Sequence, residues 1–157
     1  EAMIELSLDE CTPDQAQIGV AGDTLNTAIY LRRMAPGIGV SYVTCLGDDP
    51  LSVRIRRAIE DEVIETDLIG VLPGRSAGLY AISTDAAGER SFSYWRDHSA
   101  ARQLFTAPSP RLEDLACFDV IYLSAITLAI LSTQARRDLR QHVGKTSHGE
   151  VLTAVAR

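Results

Sequence analysis

Cysteine is scarce in this chain. Its 157 residues include three, Cys11, Cys45 and Cys117. They form no C-x-x-C pair, and an odd number completes no disulfide framework. They read as free thiols, buried or half-buried, of a protein kept in a reducing compartment. Histidine is just as scarce, and His98, His142 and His148 show no metal-ligand spacing. No apolar run approaches the roughly 20 residues of a membrane span, and no secretory signal opens the chain. The cytoplasm is therefore the expected location, with no membrane partner. Positive charge is in deficit: 15 Lys and Arg stand against 21 Asp and Glu, a net charge of -6. That balance argues against nucleic acid as the main partner. It leaves room for an anionic small molecule, because a site can be locally positive.

What remains is ordinary globular composition, 46% hydrophobic and 23% charged, in a length that suits one domain with a sizeable core. Met3–Leu8 alternates apolar and polar residues, as a half-exposed strand does. A turn follows around Thr12-Pro13-Asp14, and then a short apolar run, Ile18 to Ala21, meets Gly22. Asp23 is a good N-cap, and Leu25, Ala28, Leu31 and Met34 continue at helical spacing until Pro36-Gly37. Val40–Leu46 is β-branched and apolar, a buried strand closed by Gly47-Asp48-Asp49-Pro50. A second helix opens at Pro50, with Leu51, Ile55, Ala58 and Ile59 on one face. Strand, helix, strand, helix implies βαβ units and a parallel sheet.

The pattern then changes. Ala77–Thr84 and Ser91–Trp95 read as two strands joined by the loop Asp85–Glu89. A hairpin inside a βα chain points to a second, smaller sheet. Ser99–Leu104 reads as a short helix, Thr106–Pro110 as a loop and Cys117–Leu123 as a buried strand. Ser132 caps a last amphipathic helix that runs to about Val143. Gly144-Lys145-Thr146 resembles the end of a phosphate-binding loop, but Leu139 stands where the first glycine belongs and a polar helix precedes it. That motif is discarded.

Two groups of residues could carry chemistry. Gly22 before a helix N-terminus lets a ligand approach the backbone, and Asp23 and Asn26 could bond sugar hydroxyls. Asp23 could equally be no more than a cap. In the hairpin, Arg96 offers a planar fork suited to a carboxylate, and Tyr80 and Tyr94 offer hydroxyls on rigid rings. Cross-strand aromatic packing and a surface arginine are the plainer alternative. Tyr94 and Trp95 must face opposite ways on a strand.

In order, Glu1–Ser7, Gly22–Ala28, Tyr42–Asp49, Gly78–Tyr80, Gly88–Arg96 and Tyr122–Ser132 resemble the 2-keto-3-deoxygluconate kinase branch of the ribokinase-like sugar kinases. The resemblance runs from Glu1 to about Val143. It implies a doubly wound α/β fold with a small β lid, its strands near 3–8, 16–21, 77–84 and 90–96. It also implies roles. Gly22 and Asp23 would lie against the sugar, and Asn26 would shape the pocket floor. Tyr80 and Tyr94 would bond the keto-acid end, and Arg96 would pair with the carboxylate. Fructose or ribose kinases of the same superfamily, and a sugar-binding or dimerisation module that pairs lids between subunits, are the competing readings.

The departures are as informative. Position 21 is Ala where many relatives have Gly. The first core strand would precede Glu1. Gly144–Arg157 does not match the asp-x-asn-x-arg segment that follows in the family, and no Gly-x-Gly-Asp occurs. The chain is therefore expected to be the N-terminal part of a sugar kinase domain, without the nucleotide-binding half. No catalytic residue is assigned, and the ATP and Mg²⁺ of the intact family are expected to have no site in it. Marginal stability alone is expected too, since an incomplete sheet leaves open edges.

Overall fold

Side-chain parity decides how the first strands pack. The structure, a computed structural model, describes residues 1–8, 14–85, 87–106, 109–143 and the backbone of 150–154. Strands β1 (Met3–Leu8), β2 (Ala16–Ala21), β5 (Gly78–Thr84) and β6 (Arg90–Trp95) form one sheet in the order β2-β1-β5-β6. β1 runs antiparallel to β2 and parallel to β5, and β5 runs antiparallel to β6. One face of this sheet carries Ile4, Leu6, Val20 and Leu79 onto a core built from Leu25, Val40, Tyr42, Leu46, Ile55 and Ile59. β1 is an interior strand, so Met3 and Ile4 are both buried, 8% and 0% exposed. Glu5, Leu6 and Ser7 are partly exposed and Leu8 is exposed, so the half-exposed reading of Met3–Leu8 fits the second half of the strand and not its buried start.

Helix α1 (Asp23–Met34) leads to β3 (Thr44–Gly47), and α2 (Pro50–Asp61) returns the chain to β4 (Ile69–Leu72), parallel to β3. α2 is the best-signalled element. Asp49 caps it, accepting from the N–H groups of Leu51 and Ser52 at 2.9 and 3.2 Å, and Pro50 fills the first turn. β7 (Val120–Ser124), α3 (Ala125–Ile130), α4 (Thr133–Val143) and β8 (Glu150–Ala154) follow, with β8 parallel to β7. Ser132 Oγ accepts from the Ala135 N–H at 3.1 Å. Ala135 and Leu139 face a second core with Cys45, Leu72, Ala100, Leu104, Leu115 and Leu131.

Several boundaries differ from the sequence reading. Val40–Leu46 pairs as a strand only from Thr44, because β4 begins at Ile69 and upstream there is a lone bridge from Ser41 to Glu65. Val40 and Tyr42 are buried by the core rather than by a ladder. Gly22 takes the N-cap position of α1 and Asp23 is its first residue, with no side-chain cap. Ser99–Leu104 shrinks to the 3-10 turn Ala100–Gln103. Cys117 ends another 3-10 turn and β7 starts at Val120, half exposed. β4 and α3 had no sequence signal strong enough to be read. Of the expected turns and motifs, Thr12-Pro13, Ala86, residues 107–108 and Gly144-Lys145-Thr146 lie outside the described residues, as does Cys11.

Two outcomes test this packing. Ile55→Ala, at a site 0% exposed, should cost about 2–5 kcal/mol in urea unfolding, whereas Val53→Ala should stay within about 0.5 kcal/mol. Equal effects would place the core elsewhere. Asp49 supplies a pH test. Burial opposes its ionisation, but bonds from the Ser52 hydroxyl and from the Ser52 and Leu51 N–H groups outweigh that and lower its pKa. A lowered carboxyl pKa adds stability above the unfolded value and loses it as pH falls through the folded one. Asp49→Asn should therefore flatten the fall in Tm below about pH 4; thermal melts with an unchanged slope would contradict it.

Candidate functional site

The face of the four-stranded sheet turned away from that first core carries the candidate residues. Register sets Glu5 opposite Tyr80 and Tyr80 opposite Tyr94. The two tyrosine rings stack with centroids 5.7 Å apart, and Phe92 stacks on Tyr94 at 6.3 Å. The Tyr80 hydroxyl donates to Glu5 Oε2. Burial first, and then this carboxylate, raise the phenol pKa well above the usual tyrosine value. Tyr80 is thus a fixed donor already engaged within the sheet. Tyr94 is 53% exposed, and Trp95, paired with Leu79 on the other face, is 60% exposed.

Arg96 follows β6 and turns inward. Its Nη2 approaches Glu1 Oε2 to 2.6 Å, an ion-pair contact that falls outside hydrogen-bond geometry. The other Glu1 oxygen, Oε1, accepts from Ser99 Oγ at 2.6 Å. The Glu1 side chain is 1% exposed and that of Arg96 17%. This carboxylate lies across Gly78: a Cβ there would fall 2.7 Å from Glu1 Oε1 and 3.1 Å from Met3 Cγ. The backbone of Glu1 makes a second close approach. A Cβ on Gly22 would come within 2.1 Å of the Glu1 carbonyl oxygen. Two glycines, one on each side, thus let Glu1 join the end of β6 to the start of α1.

Glu1 brings Arg96 together with Gly22 and Asp23. Asp23 Oδ2 and Arg96 Nε are both buried without a hydrogen-bond partner among the described residues. One is an acceptor and the other a donor. Next to Asp23, Thr24 Oγ1 bonds the hydroxyl of buried Tyr42 at 2.8 Å. Asn26 is less engaged. Its N–H donates to the Gly22 carbonyl at 2.8 Å, as helix geometry requires, and its side chain is exposed on α1.

Sequence reasoning assigned no role to Glu1, Glu5, Ser99 or Gly78. A signal was there. Glu1, two residues before β1, shares parity with Met3 and Glu5, and a half-buried arginine needs an anionic neighbour. Pairing β1 with β5 puts the two facts on one face, and that pairing was not legible. Elsewhere, Asp67, Leu68, Gly70, Ser109, Pro110 and Arg111 line a shallow depression that shares none of these residues. Among the described residues, no three His, Cys, Asp or Glu side chains gather as a metal site, and no helix is long and apolar enough to cross a membrane.

Two short parallel strand pairs with their helices, a four-stranded sheet beside them, and polar residues gathered at the end of β6 and the start of α1 make up the layout of the chain. The chain belongs to the pfkB family of carbohydrate kinases, whose model matches residues 1–149. It is 44% identical over 143 residues to 2-dehydro-3-deoxygluconokinase of Dickeya dadantii, covering 88% of this chain and 45% of that protein. The Haemophilus influenzae protein of the same name is 41% identical over 140 residues, covering 87% and 44%. The chain therefore spans about half the length of the curated relatives it matches. Among solved structures, 2-dehydro-3-deoxygluconokinase of Thermotoga maritima superposes with a TM-score of 0.85 at 22% identity, over all of this chain and 49% of that one. A Xylella fastidiosa fructokinase gives 0.79 at 18%, over 100% and 50%. These two show the fold.

Gly78→Ala tests the joint. The added methyl must displace the Glu1 carboxylate or the backbone, an overpacking cost of about 1–3 kcal/mol. Chemical denaturation should show that loss, and an unchanged midpoint would mean that Glu1 does not lie over Gly78.

Proposed function

We propose that the chain forms the sugar-binding part of a kinase for 2-keto-3-deoxygluconate, also called 2-dehydro-3-deoxygluconate. The intact enzyme would transfer the γ-phosphate of ATP to the terminal hydroxyl of this sugar acid. The observation that carries the reading is the placement of Arg96, a partly sequestered guanidinium with an unmatched N–H, on one side of Glu1, and of Asp23, with an unmatched carboxylate oxygen, on the other. A ligand with a carboxylate at one end and hydroxyls along its length satisfies both. The 44% identity to 2-dehydro-3-deoxygluconokinase supports the same substrate.

In this reading Arg96 holds the carboxylate and Asp23 accepts from a hydroxyl, with Gly22 allowing close approach. Tyr94 closes over the keto-acid end, while Tyr80 props it from below and Asn26 borders the opening. The four-stranded sheet acts as a lid that excludes water, so that phosphate goes to the sugar. ATP and Mg²⁺ supply the phosphoryl group and its charge neutralisation.

The test is ADP release by a full-length kinase carrying this segment. Arg96→Ala should raise KM for the keto-acid at least about tenfold, the worth of a hydrogen bond to a charged group. Turnover of a neutral ketose should change little. Equal losses on both would refute the carboxylate role and favour a neutral sugar.

A second reading concerns association. β6 is an edge strand exposed along its whole length, with Phe92 at 49% and Trp95 at 60%. An exposed aromatic edge suits pairing with a second copy. Sedimentation of the chain should show concentration-dependent dimers, and a monomer at all concentrations would remove this reading.

A further inference from the structure

We infer that Glu1 is a positioning residue: it holds the Arg96 fork in the orientation that receives the substrate carboxylate. The inference rests on the sugar-acid reading and adds a residue to it. An arginine side chain is long and loses much rotamer freedom when a ligand fixes it. Fixing it beforehand removes that cost from binding. The geometry around Arg96 does this. Glu1 approaches Nη2 at 2.6 Å and leaves Nε unmatched. Glu1 is itself pinned by Ser99 Oγ at 2.6 Å and seated over Gly78, where no side chain could intervene. With its side chain 1% exposed, it is placed as a fixture and not as a group waiting to be displaced.

Glu1 has a second effect of opposite sign. Its negative charge repels an incoming carboxylate while its contact orients the guanidinium. The direction of the change on neutralising it decides which effect dominates. Positioning requires that Glu1→Gln, which keeps shape and loses charge, weakens acid recognition.

The measurement is kcat/KM for 2-keto-3-deoxygluconate and for 3-deoxyfructose, its neutral analogue with an alcohol in place of the acid. The enzyme is the full-length kinase carrying this segment, with Glu1→Gln, Ser99→Ala and Arg96→Ala assayed in parallel. The acid-over-neutral ratio should fall about tenfold in Glu1→Gln, through KM for the acid. Ser99→Ala, a milder change, should shift the ratio the same way by a smaller factor, and it carries the test if Glu1→Gln fails to fold. A merely structural role would lower both substrates equally and leave the ratio alone. That result, or a rise in acid preference, would overturn the inference while the Arg96→Ala loss left the substrate reading standing. A wild-type enzyme without acid preference would overturn both.

Discussion

A carboxylate with a side chain only 1% exposed must be compensated, or its burial would cost more than a small domain can spare. Glu1 is compensated on two sides, by Arg96 and by the Ser99 hydroxyl, and it fits because Gly78 carries no side chain. Glu1 leads into β1, and its neighbours come from β5 and the segment after β6, so this contact fixes how three passages of the chain converge. Its carbonyl oxygen under Gly22 adds a fourth, the entrance to α1. No apolar contact could specify this meeting as narrowly, because burial by itself is non-directional.

Around that joint the four-stranded sheet does two jobs with its two parities. Ile4, Leu6, Val20 and Leu79 anchor it to α1 and α2. Glu5, Tyr80 and Tyr94 form a polar and aromatic face on the other side. The anchoring face needs only volume and hydrophobicity. The polar face needs particular atoms at particular places, and the Tyr80–Glu5 bond keeps two of its members from collapsing into each other or turning to solvent.

Local signals marked much of the fold in the sequence. Asp49-Pro50 announced α2, and Ser132 announced α4. The Asp85 loop announced the hairpin, where Asp85 Oδ1 accepts from the Ala87 and Glu89 N–H groups at 2.9 Å each. What stayed hidden was non-local. The run Val40–Leu46 advertised burial, but pairing depends on where the partner strand begins. β4, four residues around Gly70, is too short to show a period. Arg96 and Asp23 could be singled out by type. Their convergence could not, because Glu1 reaches them across separations of 95 and 22 residues that the pairing of β1 with β2 and β5, and of β5 with β6, closes.

The acidic balance of the chain sharpens the chemistry at this place. Arg96 is paired with Glu1, and Asp23 and Glu5 add two more carboxylates to the neighbouring backbone, so the region is not electropositive in sum. Long-range attraction therefore cannot be what selects an anionic ligand. Selection must come from short-range matching, in which each unpaired atom demands a complement. An apolar ligand would leave both Arg96 Nε and Asp23 Oδ2 unmatched, at a desolvation cost of about 1–3 kcal/mol each. A neutral polyol could satisfy the acceptor but offers the guanidinium neither a counter-charge nor the paired oxygens that its planar fork matches. A sugar acid satisfies both ends at once. A net negative charge and an anionic ligand are thus compatible, since directed donors and acceptors can discriminate where the summed field does not.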